Sequence, residues 1–133
     1  MTSSKYILAI DQGTSSTKTL IFDAAGKVIA KGTTPLQTNY FEDGFVEQDP
    51  QGIYENVLAS VSACLTDFTA QGLDKKEIVS IGISNQRETF VLWDATGKPL
   101  HNAVVWQCKR SVQICADLVA RGLAQEVNEK TGL

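Results

Sequence analysis

Clusters of basic residues are missing from this sequence: its 12 lysines and arginines are scattered among 15 acidic residues, for a net charge of −3. That balance excludes the electrostatic footprint that nucleic acid or an anionic membrane surface requires, so neither is expected as a partner. Long apolar runs are also missing. Nothing approaches the roughly 20 residues that cross a bilayer, and residues 1–5 lead into a strand without the apolar core of a signal peptide, which gives the expectation of a cytoplasmic protein. Cysteine is scarce and odd in number. Cys64, Cys108 and Cys115 lie at spacings that match neither a zinc site nor a redox CxxC, so reduced, partly buried thiols are expected. His101 is the single histidine, with no carboxylate or thiol set at ligand spacing, and receives no catalytic role. What remains is an ordinary globular composition, 43% hydrophobic and 20% charged over 133 residues, read as one domain with a sizeable core.

Two stretches carry chemistry. In the first, the apolar run Tyr6-Ile7-Leu8-Ala9-Ile10 delivers Asp11 into Gln12-Gly13-Thr14-Ser15-Ser16-Thr17-Lys18, which reads as strand, tight turn, strand. Gly13 opens backbone dihedrals closed to residues with a Cβ and lets another group approach closely, so the amides of Thr14, Ser15 and Ser16 can converge on an anion, with hydroxyls and Lys18 as further donors. Asp11 offers a hard oxygen to a magnesium ion that keeps most of its waters. An ordinary hairpin is the alternative. In the second, the β-branched run Ile78-Val79-Ser80-Ile81-Gly82-Ile83 ends in Ser84-Asn85-Gln86-Arg87-Glu88-Thr89. Ligands of open α/β sheets sit beyond the carboxyl ends of strands, and an adjacent Arg87 and Glu88 supply a donor fork and an acceptor suited to neighbouring hydroxyls. A solvated surface ion pair is the alternative.

The rest of the chain supplies a frame. Residues 17–22 and 28–33 continue the first strand into an antiparallel meander of three. Residues 37–50 read as an irregular surface excursion without chemistry. Asp49-Pro50 starts a helix as N-cap and first helical residue, with Ile53, Val57, Leu58, Val61, Leu65 and Phe68 forming its apolar stripe up to Gly72 and Cys64 as core filler beside it. Phe90-Val91-Leu92-Trp93 and residues 100–106 are predicted strands around the turn Asp94-Ala95-Thr96-Gly97-Lys98-Pro99. Trp106 ends the second of these, either to pack on the carbons of a polyol or as a core or rim residue. Ser111 is predicted to cap a helix carrying Ile114, Cys115, Leu118 and Val119 that ends at Gly122, and residues 123–130 form a last short helix.

Asp11-Gln12-Gly13-Thr14-Ser15-Ser16 resembles the first phosphate motif of the actin, hexokinase and Hsp70 ATPase clan. With Ser84-Asn85-Gln86-Arg87-Glu88-Thr89, Thr96-Gly97-Lys98-Pro99 and Asn102-Ala103-Val104-Val105-Trp106-Gln107-Cys108-Lys109-Arg110, the order and spacing resemble FGGY-type carbohydrate kinases, most closely the bacterial glycerol kinases, from about Tyr6 to the last residue. The resemblance implies an α/β, ribonuclease H-like fold, a mixed sheet with three leading antiparallel strands and covering helices. Residues 1–133 would be the N-terminal part of the family's N-terminal domain, incomplete as a fold. It implies transfer of the γ-phosphoryl of ATP to glycerol or a related polyol, with ATP and Mg2+ as cofactors and a homo-oligomeric full-length protein. By matched position, Thr14, Ser15, Ser16 and Lys18 would contact the ATP phosphates, Asp11 would help hold Mg2+, and Arg87, Glu88 and Trp106 would bind the polyol. Lys18 stands where glycerol kinases carry Arg, a point charge in place of a planar fork, and residues 15–19 resemble the sugar-kinase members more. The family's catalytic aspartate and adenine-binding domain would lie beyond residue 133, so this chain alone is expected to be inactive. Two other functions stay open: an FGGY kinase for another polyol or sugar, and an actin- or Hsp70-like nucleotide-binding module without a small-molecule substrate.

Overall fold

The computed structural model describes residues 5–132, and the sequence readings that fall on residues 1–4 and on Leu133 lie outside the described residues. Three strands lead the chain, β1 (Tyr6–Gln12), β2 (Ser16–Phe22) and β3 (Val28–Pro35), paired antiparallel in sequence order as the alternation predicts. Their even spacing of apolar and polar positions buries Tyr6, Leu8, Ile10, Ile21 and Ala30 on one face.

Residues 37–50 are not the featureless excursion expected. They hold β4 (Asn39–Tyr40) and β5 (Val46–Gln48), and all three residues of β5 are buried. The helix α1 (Pro50–Ala70) starts where Asp49-Pro50 places it, the Asp49 carboxylate accepting from the Gln51 amide at 3.1 Å. It covers the buried face of β1 to β3 with Phe68 and Cys64 buried as predicted, but the line continues through Asn56 and Ser60 in place of Ile53 and Leu58. The buried line is Asn56, Ser60, Cys64 and Phe68, four apart and small or polar except for Phe68, while Val57, Val61 and Leu65 flank it and Leu58 faces solvent. Close packing explains the choice. A Cβ on Gly32 of β3 would lie 2.3 Å from the Ser60 carbonyl oxygen and 2.6 Å from the Cys64 amide nitrogen, so helix and strand backbones nearly touch. Ser60 Oγ meets Thr19 Oγ1 at 2.9 Å and donates to the carbonyls of Thr17 and Gly32, both at 3.2 Å. Large side chains have no room there.

After α1 a short 3-10 turn leads to β6 (Ile78–Ser84), which joins β1 in parallel and completes a four-stranded mixed sheet in the order β3-β2-β1-β6. The crossover through α1 is the unit that parallel neighbours require. Ile81 and Ile83 share the face of Leu8 and Ile10 by register, yet remain 68% and 67% exposed, because α1 does not extend over this edge.

Beyond β6 the two predicted strands are largely absent. Residues 90–93 contribute only isolated bridges, Phe90 to Val104 and Trp93 to Pro99, and of 100–106 only β7 (Ala103–Val104) is a strand, paired with β5 in a second sheet of order β4-β5-β7. Phe90, Leu92 and Trp93 are exposed, so no sheet lies beneath them to hold an extended conformation. Asp94 instead gathers the Thr96 and Lys98 amides and the Thr96 hydroxyl on one carboxylate oxygen, which sets the turn and holds its pKa below the usual value. The helices α2 (Val112–Ala120) and α3 (Ala124–Thr131) follow as expected, with Gly122 in the left-handed conformation between them. Ser111, however, makes no capping bond. It closes a 3-10 turn, Lys109–Ser111, with helical dihedrals of its own. Among the described residues no helix is long and apolar enough to cross a membrane.

Candidate active site

β1 and β6 are parallel neighbours with Asp11 opposite Ser84, so the two chemical stretches leave the sheet at the same edge and at the same height. There they enclose a cavity of about 330 Å³ lined by Asp11, Gln12, Gly13, Thr14, Asn85, Gln86, Arg87, Glu88 and Trp106. The turn is tight because the Gly13 amide bonds the Ser16 carbonyl at 3.0 Å. Of the two properties expected of Gly13, close approach is used here and an unusual dihedral is not. A Cβ on Gly13 would meet the Ser16 carbonyl oxygen at 3.1 Å, and its φ is not in the left-handed region.

Of the residues the sequence singled out, Asp11, Thr14, Arg87, Glu88 and Trp106 line the cavity, whereas Ser15, Ser16 and Lys18 do not. The Ser15 carbonyl accepts from the Leu36 amide, Ser16 opens β2, and Lys18 lies across from Asp11 in the antiparallel register, on the sheet face away from α1. The Asp11 carboxylate has no hydrogen-bond or ion-pair partner among the described residues, nor do the Arg87 guanidinium and the Glu88 carboxylate. The surface ion pair weighed for Arg87 and Glu88 is therefore not formed. Glu88 has φ 62°, the left-handed region, and is the one described residue other than glycine to do so. Such backbone costs a residue with a Cβ roughly 1–2 kcal/mol and persists where the surroundings impose it, which is common at ligand sites.

Trp106 closes the cavity. Its indole Nε1 donates to Thr14 Oγ1 at 2.9 Å and its amide to Thr89 Oγ1 at 3.2 Å, yet the residue is 54% exposed, so the ring is anchored at its edge and not buried in the core. His101 is exposed and its Nδ1 lies 3.0 Å from the Asn102 carbonyl oxygen.

The sequence did not point to the support beneath this cavity. Gln12, Gln48 and Gln86 are all buried, and their side chains interlock: Gln86 Nε2 donates to Gln48 Oε1 at 2.9 Å and to Gln12 Oε1 at 3.4 Å, and Gln48 Nε2 donates to the Thr14 carbonyl at 2.8 Å. Next to Gln48, Glu47 accepts from Arg110 at 2.5 Å and from Asn102 at 3.0 Å; these bonds hold its carboxyl below the usual value and raise Arg110. Arg110 also lies over the Phe45 ring and donates through Nε to Cys108 Sγ at 2.9 Å. Burial raises the Cys108 thiol, but the bonds from the Arg110 and Val46 amides and the Arg110 guanidinium outweigh it and bring the pKa below its ordinary value. Cys64, buried under α1, is pushed up to about 11 by burial, while Cys115 is exposed, contrary to the expectation of partly buried thiols throughout.

The sequence pattern of the FGGY family of carbohydrate kinases, N-terminal domain, matches residues 6–133. The chain belongs to this family. Among curated relatives, it is 45% identical over 130 residues to the glycerol kinase of Halothermothrix orenii, covering 97% of this chain and 26% of that protein, and 47% identical over 129 residues to the glycerol kinase of a Chelativorans species, covering 96% and 25%. Among solved structures, it is similar to the gluconate kinase from Lactobacillus acidophilus, with TM-score 0.82 and 30% identity over 98% of this chain and 25% of that one. It is also similar to the Plasmodium falciparum glycerol kinase with ADP, with TM-score 0.70 and 32% identity over 88% and 23%. The fold is thus the mixed α/β, actin-ATPase type of the FGGY kinases. The chain spans about a quarter of the length of the curated relatives it matches.

Proposed function

We propose that this chain supplies the polyol-binding loop and the phosphate-side turn of an ATP-dependent glycerol kinase, which forms glycerol 3-phosphate. The observation that carries this reading is the cavity in which the glycine turn after β1 meets Arg87, Glu88 and Trp106. Phosphoryl transfer needs positioning and charge stabilisation more than covalent chemistry, and both ends of the transfer have a place here. Thr14 lines the cavity and contacts the ATP phosphates, with Ser15, Ser16 and Lys18, on the turn and on β2 outside that lining, as further contacts. Arg87 donates to one glycerol hydroxyl and Glu88 accepts from its neighbour, while Trp106 packs on the carbon skeleton.

Asp11 fits Mg2+. Its carboxylate stands at the cavity without a partner among the described residues, and a single carboxylate beside phosphate suits an ion that keeps several of its waters. Among the described residues no group of three or more histidines, cysteines or acidic residues could hold a metal by itself, so ATP oxygens would complete the site. When bound, Mg2+ would neutralise charge that develops on the phosphates.

A second reading, an FGGY kinase for another polyol or sugar, draws on the likeness to gluconate kinase and on the lysine at position 18. A coupled ADP-release assay of the intact gene product across glycerol, tetritols, pentitols and hexoses separates the two: preference for glycerol supports the first, and preference for a larger sugar defeats it. A polypeptide of residues 1–133 alone is expected to show almost no turnover, because phosphoryl transfer draws on groups from both sides of a cleft and this chain spans about a quarter of the length of its relatives. Activity of that polypeptide would contradict the partition of roles. A cytoplasmic location follows from the need for ATP.

A further inference from the structure

We propose that Gln48 is a positioning residue that fixes the phosphate-side turn and the polyol-side loop in one relation, so that ATP and acceptor are held in register through it. Its side chain is fully buried, and every polar hydrogen and acceptor it owns is used. Nε2 donates to the Thr14 carbonyl at 2.8 Å and to Thr38 Oγ1 at 2.7 Å, and Oε1 accepts from Gln86 Nε2 at 2.9 Å. Thr14 belongs to the turn and Gln86 directly precedes Arg87 in the loop, so one amide spans the two walls of the cavity from below. The bridge continues on the loop side, where Thr89 Oγ1 donates to Gln86 Oε1 at 3.2 Å and accepts from the Trp106 amide. Gln48 itself does not line the cavity and touches no reacting group. It acts through Thr14 and Gln86.

The direction of the bonds makes this specific. Gln48 must present a donor to one wall and an acceptor to the other, because Thr14 offers a carbonyl oxygen and Gln86 an amide NH2. Glutamate has the same shape and length but only acceptors when ionised, so a carboxylate at position 48 faces the Thr14 carbonyl with the wrong sign. Burial and that carbonyl both raise the pKa of such a carboxyl, and the protonated acid regains one donor. Methionine keeps the volume and removes all three bonds. The role depends on the function proposed above, since a shared register matters only where two ligands react.

The test uses the intact gene product. Gln48→Met is expected to raise KM for glycerol and for ATP together, each on the order of tenfold. Gln48→Glu is expected to do so at pH 8 and to recover toward the parent as pH falls to 6, a pH dependence that filling space alone would not produce. Hydrogen exchange of the Trp106 indole N–H, which bonds Thr14 across the cavity, is followed in parallel without substrate. It is expected to accelerate in both variants if the walls lose their relation. Unchanged KM values with only a lowered Tm, or unchanged indole exchange, overturn the role of Gln48. Should the parent phosphorylate no polyol at all, the proposed function fails, while the indole exchange still decides whether Gln48 holds the two walls.

Discussion

Trp106 and Thr14 lie 92 positions apart and are joined by a hydrogen bond of 2.9 Å from indole to hydroxyl, which ties the loop after β7 to the turn after β1. The ring is thereby oriented by the turn after β1, so a substitution on one side of the cavity is felt on the other. Trp106→Phe keeps an apolar face and deletes the bond, and about 1 kcal/mol of lost orientation corresponds to roughly a fivefold rise in KM for glycerol. Thr14→Val deletes the same bond. Steady-state kinetics of the double variant are expected to show less than the sum of the two effects, because residues that share one bond are not additive. Full additivity would show that the bond does not orient the ring.

The contact between α1 and β3 sets a second expectation. Gly32→Ala places a methyl against the Ser60 and Cys64 backbones, which cannot turn aside as a side chain would, and is expected to cost about 3 kcal/mol. Gly82→Ala in β6 is the control. Nothing lies within 4 Å of its added carbon, and its φ is not positive, so it is expected to be neutral or slightly stabilising. Urea unfolding of the two variants reads the difference directly, and similar midpoints would refute the close packing.

How much of this was visible in the sequence follows from the range of the interactions. The meander, α1 with its Asp49-Pro50 start, and the juxtaposition of Asp11 with Arg87 and Glu88 were legible because alternation, capping and strand-end rules act over a few residues. Cys64 was legible as core filler, but Asn56 and Ser60 on the same face of α1 were not, since their cause is a glycine on another element; hydrophobicity alone favoured Val57 and Leu58. Gln48 was passed over for the same reason. In Val46-Glu47-Gln48 nothing marks two polar side chains as buried until Gln86 and Arg110 arrive from distant parts of the chain to satisfy them. The predicted strands over 90–93 and 100–106 failed in the opposite way: their β-branched and aromatic residues favour extension, but β5 offers pairing to only Ala103 and Val104.

The Glu47 and Arg110 pair gives a pH dependence. The folded-state pKa of Glu47 is depressed, so its contribution to stability is fully present above the ordinary value of 4.5 and is lost as pH falls below it. Glu47→Gln removes that dependence and keeps the shape. Thermal unfolding at pH 7 and pH 3.5 is therefore expected to show a smaller drop in Tm for the variant than for the parent, and an equal drop would remove Glu47 from the account.

The three thiols are expected to react differently with iodoacetamide. Cys64, buried and raised to about 11, stays unmodified in the folded chain, whereas Cys108 alkylates with a pH midpoint below the ordinary thiol value. Arg110→Ala removes the guanidinium from its sulfur and moves that midpoint up. Mass mapping of the labelled peptides across pH 6–10 checks both statements, and a Cys108 midpoint indifferent to Arg110 would contradict the second.

Glu88 combines backbone strain with a proposed ligand role, and two substitutions separate them. Glu88→Ala removes the carboxylate but keeps a Cβ in the left-handed region, whereas Glu88→Gly removes both the carboxylate and the strain. If the carboxylate accepts from a glycerol hydroxyl, both variants lose glycerol affinity by a similar factor, on the order of tenfold or more for a charged acceptor. If the loop holds Glu88 against its own preference, the glycine variant is the more stable of the two by about 1 kcal/mol, since only the alanine variant retains the steric cost. Isothermal titration with glycerol and urea unfolding measure the two quantities independently. A glycine variant no more stable than the alanine one would mean that position 88 carries no strain, and unaltered glycerol affinity in both would take Glu88 out of the polyol site.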